Sequence, residues 1–161
     1  MKTIHSGDAG APGSIATLLA WHALVKARDA KGLDALLADD VVFHSPVVHS
    51  PQVGKQTTLQ YLGAAFHVLF NETFRYVREL SGPRDAVLEF DVVIDGITVN
   101  GIDMIRWNEQ GRIVDFKVMI RPLKAINLIH QKMAAMLQGA KPADVAGTSG
   151  IESSHAKPVG P

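Results

Sequence analysis

The stretch VNGIDMIRWNEQGRIVDF, Val99 to Phe116, reads as two strands joined by a turn at Asn108-Glu109-Gln110-Gly111. Its apolar residues recur at a period of two. One aspartate, Asp103, stands among them between Ile102 and Met104. Aspartate is a poor strand former and is seldom buried without a partner. The face on which Asp103 lies therefore decides what this region can do.

Just upstream, Asp95-Gly96 is a two-residue hairpin signal that fixes the register of the strands beside it. Ile94 should oppose Ile97, Val92 should oppose Val99, Phe90 should oppose Gly101, and Leu88 should oppose Asp103. Opposed residues share a face, as do residues two apart. Asp103 is thus expected on the apolar face with Leu88, Phe90, Val92, Ile94, Val99, Ile105 and Trp107. Glu89, Asp91, Thr98, Asn100 and Arg106 fall on the other face. On this reading Asp103 is the one carboxylate of the apolar side. Loss of water there raises a carboxyl pKa. A neutral carboxylic acid in an apolar pocket can donate a hydrogen bond to a carbonyl or shuttle a proton. The alternatives are an internal hydrogen bond to a backbone group or buried water, or a register slip that leaves Asp103 in solvent.

Outward from this core, the order of elements indicates an α+β fold with helices packed on one face of a curved antiparallel sheet. Ser14 can cap a first helix whose apolar stripe includes Ile15, Leu18, Trp21, Leu24 and Val25. LDALLA is a short helix, and VVFHSPVV is strand-like until Pro46. A second amphipathic helix begins at Lys55, with Leu59, Leu62, Phe66 and Leu69. FRYVREL, AVLEFDVVI, ITVNGIDMIRW and RIVDFKVMI form a meander of strands. Pro122 halts the last of them, and LKAINLIHQKMAAMLQ is a C-terminal helix with Leu123, Ile126, Ile129 and Met133 in one stripe. Residues 1–13 and 139–161 are small, polar and rich in Gly and Pro, as flexible tails are, which leaves one domain over 14–138.

The 161 residues are 47% hydrophobic, enough for one sizeable core, and Lys+Arg 16 balances Asp+Glu 16. With no basic excess, neither nucleic acid nor an anionic membrane is an expected partner. The absence of cysteine excludes disulfides, thiol nucleophiles and zinc–thiolate sites. No apolar leader or membrane-length run is visible, so the expected location is cytoplasmic. There is no P-loop and no G-x-S-x-G elbow. No metal or cofactor is expected, because His44, His49 and either His22 or Glu89 have no recognisable ligand spacing.

The helices, ALLADDVVFHSPV, the long helix and then IDMIRWNEQGRIVDFKV together resemble the nuclear transport factor 2-like superfamily. The similarity is to its SnoaL-like branch, which also resembles ketosteroid isomerase, and it spans roughly Ile15 to Leu137. It implies a cystatin-like cone: a bent sheet around a long helix, a deep apolar pocket, and a homodimer through the outer sheet face. It implies that Asp103 points into the pocket, at the position of the protonated aspartic acid of ketosteroid isomerase. The first-helix tyrosine of that enzyme falls at Trp21, whose indole can donate but does no phenol chemistry. Its general-base aspartate falls at Ser45, which cannot act as that base. The final-strand aspartate of limonene epoxide hydrolase falls at Val118. SnoaL-type cyclases use one aspartate as acid and base, and Asp103 matches that role.

The resulting expectation is an isomerase- or cyclase-like enzyme acting on a small apolar carbonyl compound. Asp103 is its acid, with Ser45 or His44 auxiliary. Trp21, Phe43, Phe66, Phe90, Trp107, Phe116 and Val118 would line the substrate pocket. A non-catalytic module for a hydrophobic ligand and a dimerisation or adaptor domain with a filled pocket remain the alternatives.

Overall fold

Asp95 and Gly96 both take left-handed backbone angles, φ 50° and 74°, the geometry of the tightest hairpin turn. They join β5 (Asp85–Ile94) to β6 (Ile97–Trp107) in the expected register, with Leu88 opposite Asp103 and Phe90 opposite Gly101. Apart from half-buried Ile97 beside the turn, the inward residues of this hairpin are buried, and the outward ones are partly or fully exposed. The computed structural model describes residues 2–5 and 12–139.

The other elements are β1 (Lys2–His5), α1 (Pro12–Ala27), a single 3₁₀ turn (Ala30–Gly32), α2 (Leu33–Leu36), β2 (Leu37–His44), β3 (Gln52–Val53), α3 (Lys55–Leu69), β4 (Arg75–Ser81), β7 (Ile113–Arg121) and α4 (Leu123–Gly139). The fold is a cystatin-like α+β cone, with the strands ordered β1-β4-β5-β6-β7-β2-β3. β4 to β7 are the antiparallel meander. The flanks differ from the expected all-antiparallel sheet, because β2 runs parallel to β7 and β1 runs parallel to β4. Parallel pairing joins strands distant in sequence and has no local turn signal.

The helices cover the inner face. Trp21 and Val25 of α1, Leu62, Phe66 and Leu69 of α3, and Ala125 and Ile129 of α4 join the inward residues of the strands in one core. Three helix expectations are corrected in detail. α1 starts at Pro12, so Ser14 lies within its first turn. Ile15 and Leu123, placed in apolar stripes by spacing, are 58% and 71% exposed. Each sits at a helix end, where the stripe runs past the edge of the core. Within residues 1–13, where composition predicts a tail, Lys2–His5 instead form β1. Main-chain pairing along an open strand edge needs no side-chain period, so the pattern gave no warning. The tail expected over 139–161 lies, from residue 140 on, outside the described residues. Among the described residues, no helix is long and apolar enough to cross a membrane.

Candidate active site

Asp103 is on the inner face, 4% exposed, with Leu88 opposite it on one side and Val118 on the other. Space for this row comes partly from Gly101, two residues earlier. A Cβ there would lie 2.4 Å from the Phe90 ring and 2.7 Å from the Met119 carbonyl oxygen, inside any real contact distance. The carboxylate is not alone. The Tyr76 hydroxyl donates to Asp103 Oδ2 at 2.8 Å, and Trp21 Nε1 donates to the same hydroxyl at 2.9 Å. Helix α1 and strands β4 and β6 therefore meet in one hydrogen-bonded relay, Trp21 to Tyr76 to Asp103.

Burial pushes the Asp103 carboxyl up from 3.8 to about 7, against a smaller lowering by the Tyr76 hydrogen bond. Tyr76 is raised well above 10, first by burial and then by the neighbouring Asp103 charge. Both groups thus resist ionisation. An acid poised near neutral pH, bonded to a phenol, can pass a proton in either direction.

Tyr76 was not among the sequence candidates, and neither was a second carboxylate on the inner face. β4 carries a register shift between Tyr76 and Arg78, so that Tyr76 pairs with Phe90 and Glu79 pairs with Leu88. Strict alternation through FRYVREL places Glu79 outward. The bulge turns it inward instead, to 9% exposure. Glu79, Leu88, Asp103 and Val118 therefore form one row across four strands. Glu79 Oε2 meets His22 Nε2 at 2.7 Å, and the His22 ring stands edge-on to Tyr76 at 5.3 Å. This corrects the expectation that Asp103 is the only inward carboxylate. The bulge is the signal that sequence alternation lacks.

The remaining candidates divide. Trp21, Phe43, Phe66, Phe90, Trp107, Phe116 and Val118 are all buried. The Trp21 ring packs on Phe116 at 4.9 Å and on Phe66 at 5.7 Å. These residues fill the interior of the cone around Asp103. The Trp107 indole N–H has no partner among the described residues. Ser45 accepts a hydrogen bond from the Val47 amide and lines a shallow cleft with His49, Val118 and Met119. His44 faces outward, where it bonds Asp115 at 3.0 Å. The sheet separates His44 from Asp103. No three His, Asp or Glu side chains converge as metal ligands among the described residues.

Two hollows bear on access. The larger, about 730 Å³, is a groove on the outer sheet face lined by His44, Val87, Met104, Arg106, Asp115 and Lys117 among others. It lies across the sheet from the Asp103 carboxyl. The smaller, about 380 Å³, opens between the end of α1, the segment after α3 and the start of β4, and Tyr76 and His22 line it. Size favours the first hollow, but of the two only the second has a relay residue, Tyr76, in its lining.

A family profile for the SnoaL-like domain matches residues 18–116. The chain belongs to the SnoaL-like family. Solved structures place this SnoaL-like chain within the nuclear transport factor 2-like fold. A steroid delta-isomerase from Pseudomonas aeruginosa is 37% identical, with 83% of this chain and 97% of that one covered and a TM-score of 0.77. A conserved bacterial protein with a cystatin-like fold from Silicibacter pomeroyi is 31% identical over 80% of this chain and 90% of that one, TM-score 0.73. A SnoaL-like polyketide cyclase from Shewanella denitrificans shares the fold at 14% identity, covering 80% and 99%, TM-score 0.53. No curated protein matches the chain.

Proposed function

We propose that this protein is an acid/base enzyme, isomerase- or cyclase-like, acting on an apolar carbonyl compound with Asp103 as the acid. The observation that carries the reading is the buried carboxyl, raised to about 7, bonded to a tyrosine that itself reaches a cleft. With Asp103 protonated, its O–H can donate to the Tyr76 oxygen. The Tyr76 O–H is then free to donate to a substrate carbonyl, with Trp21 Nε1 stabilising the phenol oxygen. Such donors act where charge develops on the oxygen. His22 supplies the base that Ser45 cannot. Its Nε2 is held by Glu79, and its Nδ1 has no hydrogen-bond partner among the described residues. Nδ1 takes the proton α to the carbonyl while Tyr76 gives its proton to the carbonyl oxygen, forming an enol. His22 then delivers its proton to a different carbon of the conjugated enol as the enol O–H returns to Tyr76, which completes an isomerisation and restores both residues. The similarity to a steroid delta-isomerase at 37% identity supports the class.

The test is α-proton exchange in heavy water, followed by NMR, on a panel of apolar ketones that includes a β,γ-unsaturated steroid ketone. Wild type should catalyse exchange on at least one of them, and Asp103→Asn should reduce it by about 10² or more. Exchange on none, or equal exchange by the variant, would overturn the reading.

A second reading has its own support. The interior is filled by aromatic rings and Asp103 is satisfied internally by Tyr76, as an adaptor or dimerisation domain requires. The outer groove, beside exposed Leu80, Met104 and Met119, would then be the face that meets a second copy of the chain. Sedimentation of the purified chain distinguishes a monomer from a dimer directly.

A further inference from the structure

The cleft that reaches Tyr76 has an uneven lining. One wall is aromatic: Phe70 stacks edge-on with Phe74 at 4.5 Å, and Phe74 with Tyr76 at 5.1 Å. The rim is cationic. Lys26, Arg28 and Arg75 all line it, and no aspartate or glutamate does. Arg75 shares its charge with Asp91 at 3.7 Å. Lys26 and Arg28 make no ion pair among the described residues. Of the other polar lining residues besides Tyr76, His22 is held by Glu79, and Asn71 has its amide engaged by the Val93 carbonyl and the Thr73 amide.

Arg28 also holds an unusual backbone position. It follows the last residue of α1 at φ 53°, in the left-handed region. Its amide bonds the Val25 carbonyl, and the Asp29 amide bonds the Leu24 carbonyl. This pair of bonds is the helix-ending motif in which glycine is the usual residue, because a side chain is strained there. An arginine kept at that position places a long cation over the cleft. The same two bonds occupy two carbonyls of the last turn of α1, and the Lys26 and Arg28 charges oppose the negative end of the helix dipole that remains.

We propose that this cleft binds a ring-bearing carboxylate, with its apolar ring on Phe70, Phe74 and Tyr76 and its carboxylate at Arg28 and Lys26. The inference deepens the function proposed above by naming the substrate class of the same site. It rests on Tyr76 being the point where substrate meets the relay. A compound carrying both a ketone and a carboxylate would be gripped at the rim while its carbonyl lies at the phenol. An uncharged ketone would have only the ring contacts.

The test uses a matched pair of probes, 2-naphthoate and 2-acetonaphthone, titrated into the full chain by calorimetry at low salt. The naphthoate should bind about tenfold more tightly, and the gap should close in high salt. Arg28→Gly should weaken naphthoate about tenfold and leave the ketone within about twofold. Lys26→Gln, an exposed change, should act in the same direction. Arg28→Gly suits the strained position, so its melting temperature should not fall, which separates lost binding from lost fold. Naphthoate binding no tighter than the ketone, or unchanged binding by Arg28→Gly, would overturn the inference. If ketones undergo exchange while naphthoate shows no advantage, the acid/base reading stands and the carboxylate class fails. If neither probe binds and no ketone exchanges, both fail.

Discussion

Asp103 sits in a row of inward residues where a charge would be desolvated, and its described hydrogen-bond partner is the Tyr76 hydroxyl. The face on which Asp103 lies is readable from the sequence because one turn dipeptide sets the register and a period of two does the rest. Its partner is not readable, because Tyr76 lies 27 residues away on a strand whose alternation a bulge breaks. Trp21 is legible as a donor at the right helical position, but its acceptor is the same unforeseen phenol. The raised carboxyl has a consequence for stability. The folded chain holds the Asp103 proton up to about pH 7, whereas an ordinary carboxyl releases it near 3.8. Between those values the folded state binds more protons than the unfolded one, so this group's contribution is full below about pH 4, falls as pH rises, and is gone above about 7. The span is at most about 4 kcal/mol. Asp103→Asn keeps the shape and an acceptor for Tyr76 but does not titrate. Urea midpoints at pH 5 and pH 8 should therefore show a loss in wild type that is smaller in the variant. Parallel losses in the two chains would mean that Asp103 is not raised.

At the level of elements, the β5–β6 hairpin is the most legible part of the molecule. β6 spans the same residues, 97–107, that its pattern predicts, and β5 departs by one residue at its start. Local propensity, turn chemistry and alternation agree there. The hairpin also contains a close approach that only glycine permits. At Gly101 the Phe90 ring and the Met119 carbonyl occupy the space of a side chain. Gly101→Ala should push Phe90 against Phe74, its ring neighbour at 5.3 Å, and so disturb the wall beside Tyr76. A destabilisation of about 1–3 kcal/mol is expected, as for other overpacked cores, measurable by urea unfolding. A neutral effect would show that β7 can shift away from β6 at Met119.

On the scale of the whole molecule, the sheet has two working faces. The inner one carries the relay among packed rings, and the outer one carries the broad groove with the His44–Asp115 pair. The α+β class and the meander are legible in the sequence because each of those strands adjoins its neighbour through a short turn. The order at the flanks is not, because β2 with β7 and β1 with β4 pair over long separations with no local turn to announce them. Deleting residues 1–11 should bare the β4 edge, a template for another chain's backbone. Size-exclusion chromatography of the shortened chain should show larger species than the full chain gives. An unchanged elution profile and unchanged thermal melting would mean that β1 contributes nothing. The pairing of Lys2–His5 with Arg78–Ser81 also bears on how the protein is handled at the bench. A purification tag fused ahead of Met1 would begin one residue from the strand that buttresses Glu79. A tag placed after Pro161 is separated by more than twenty residues from the end of α4, and is the better choice for any assay of the relay.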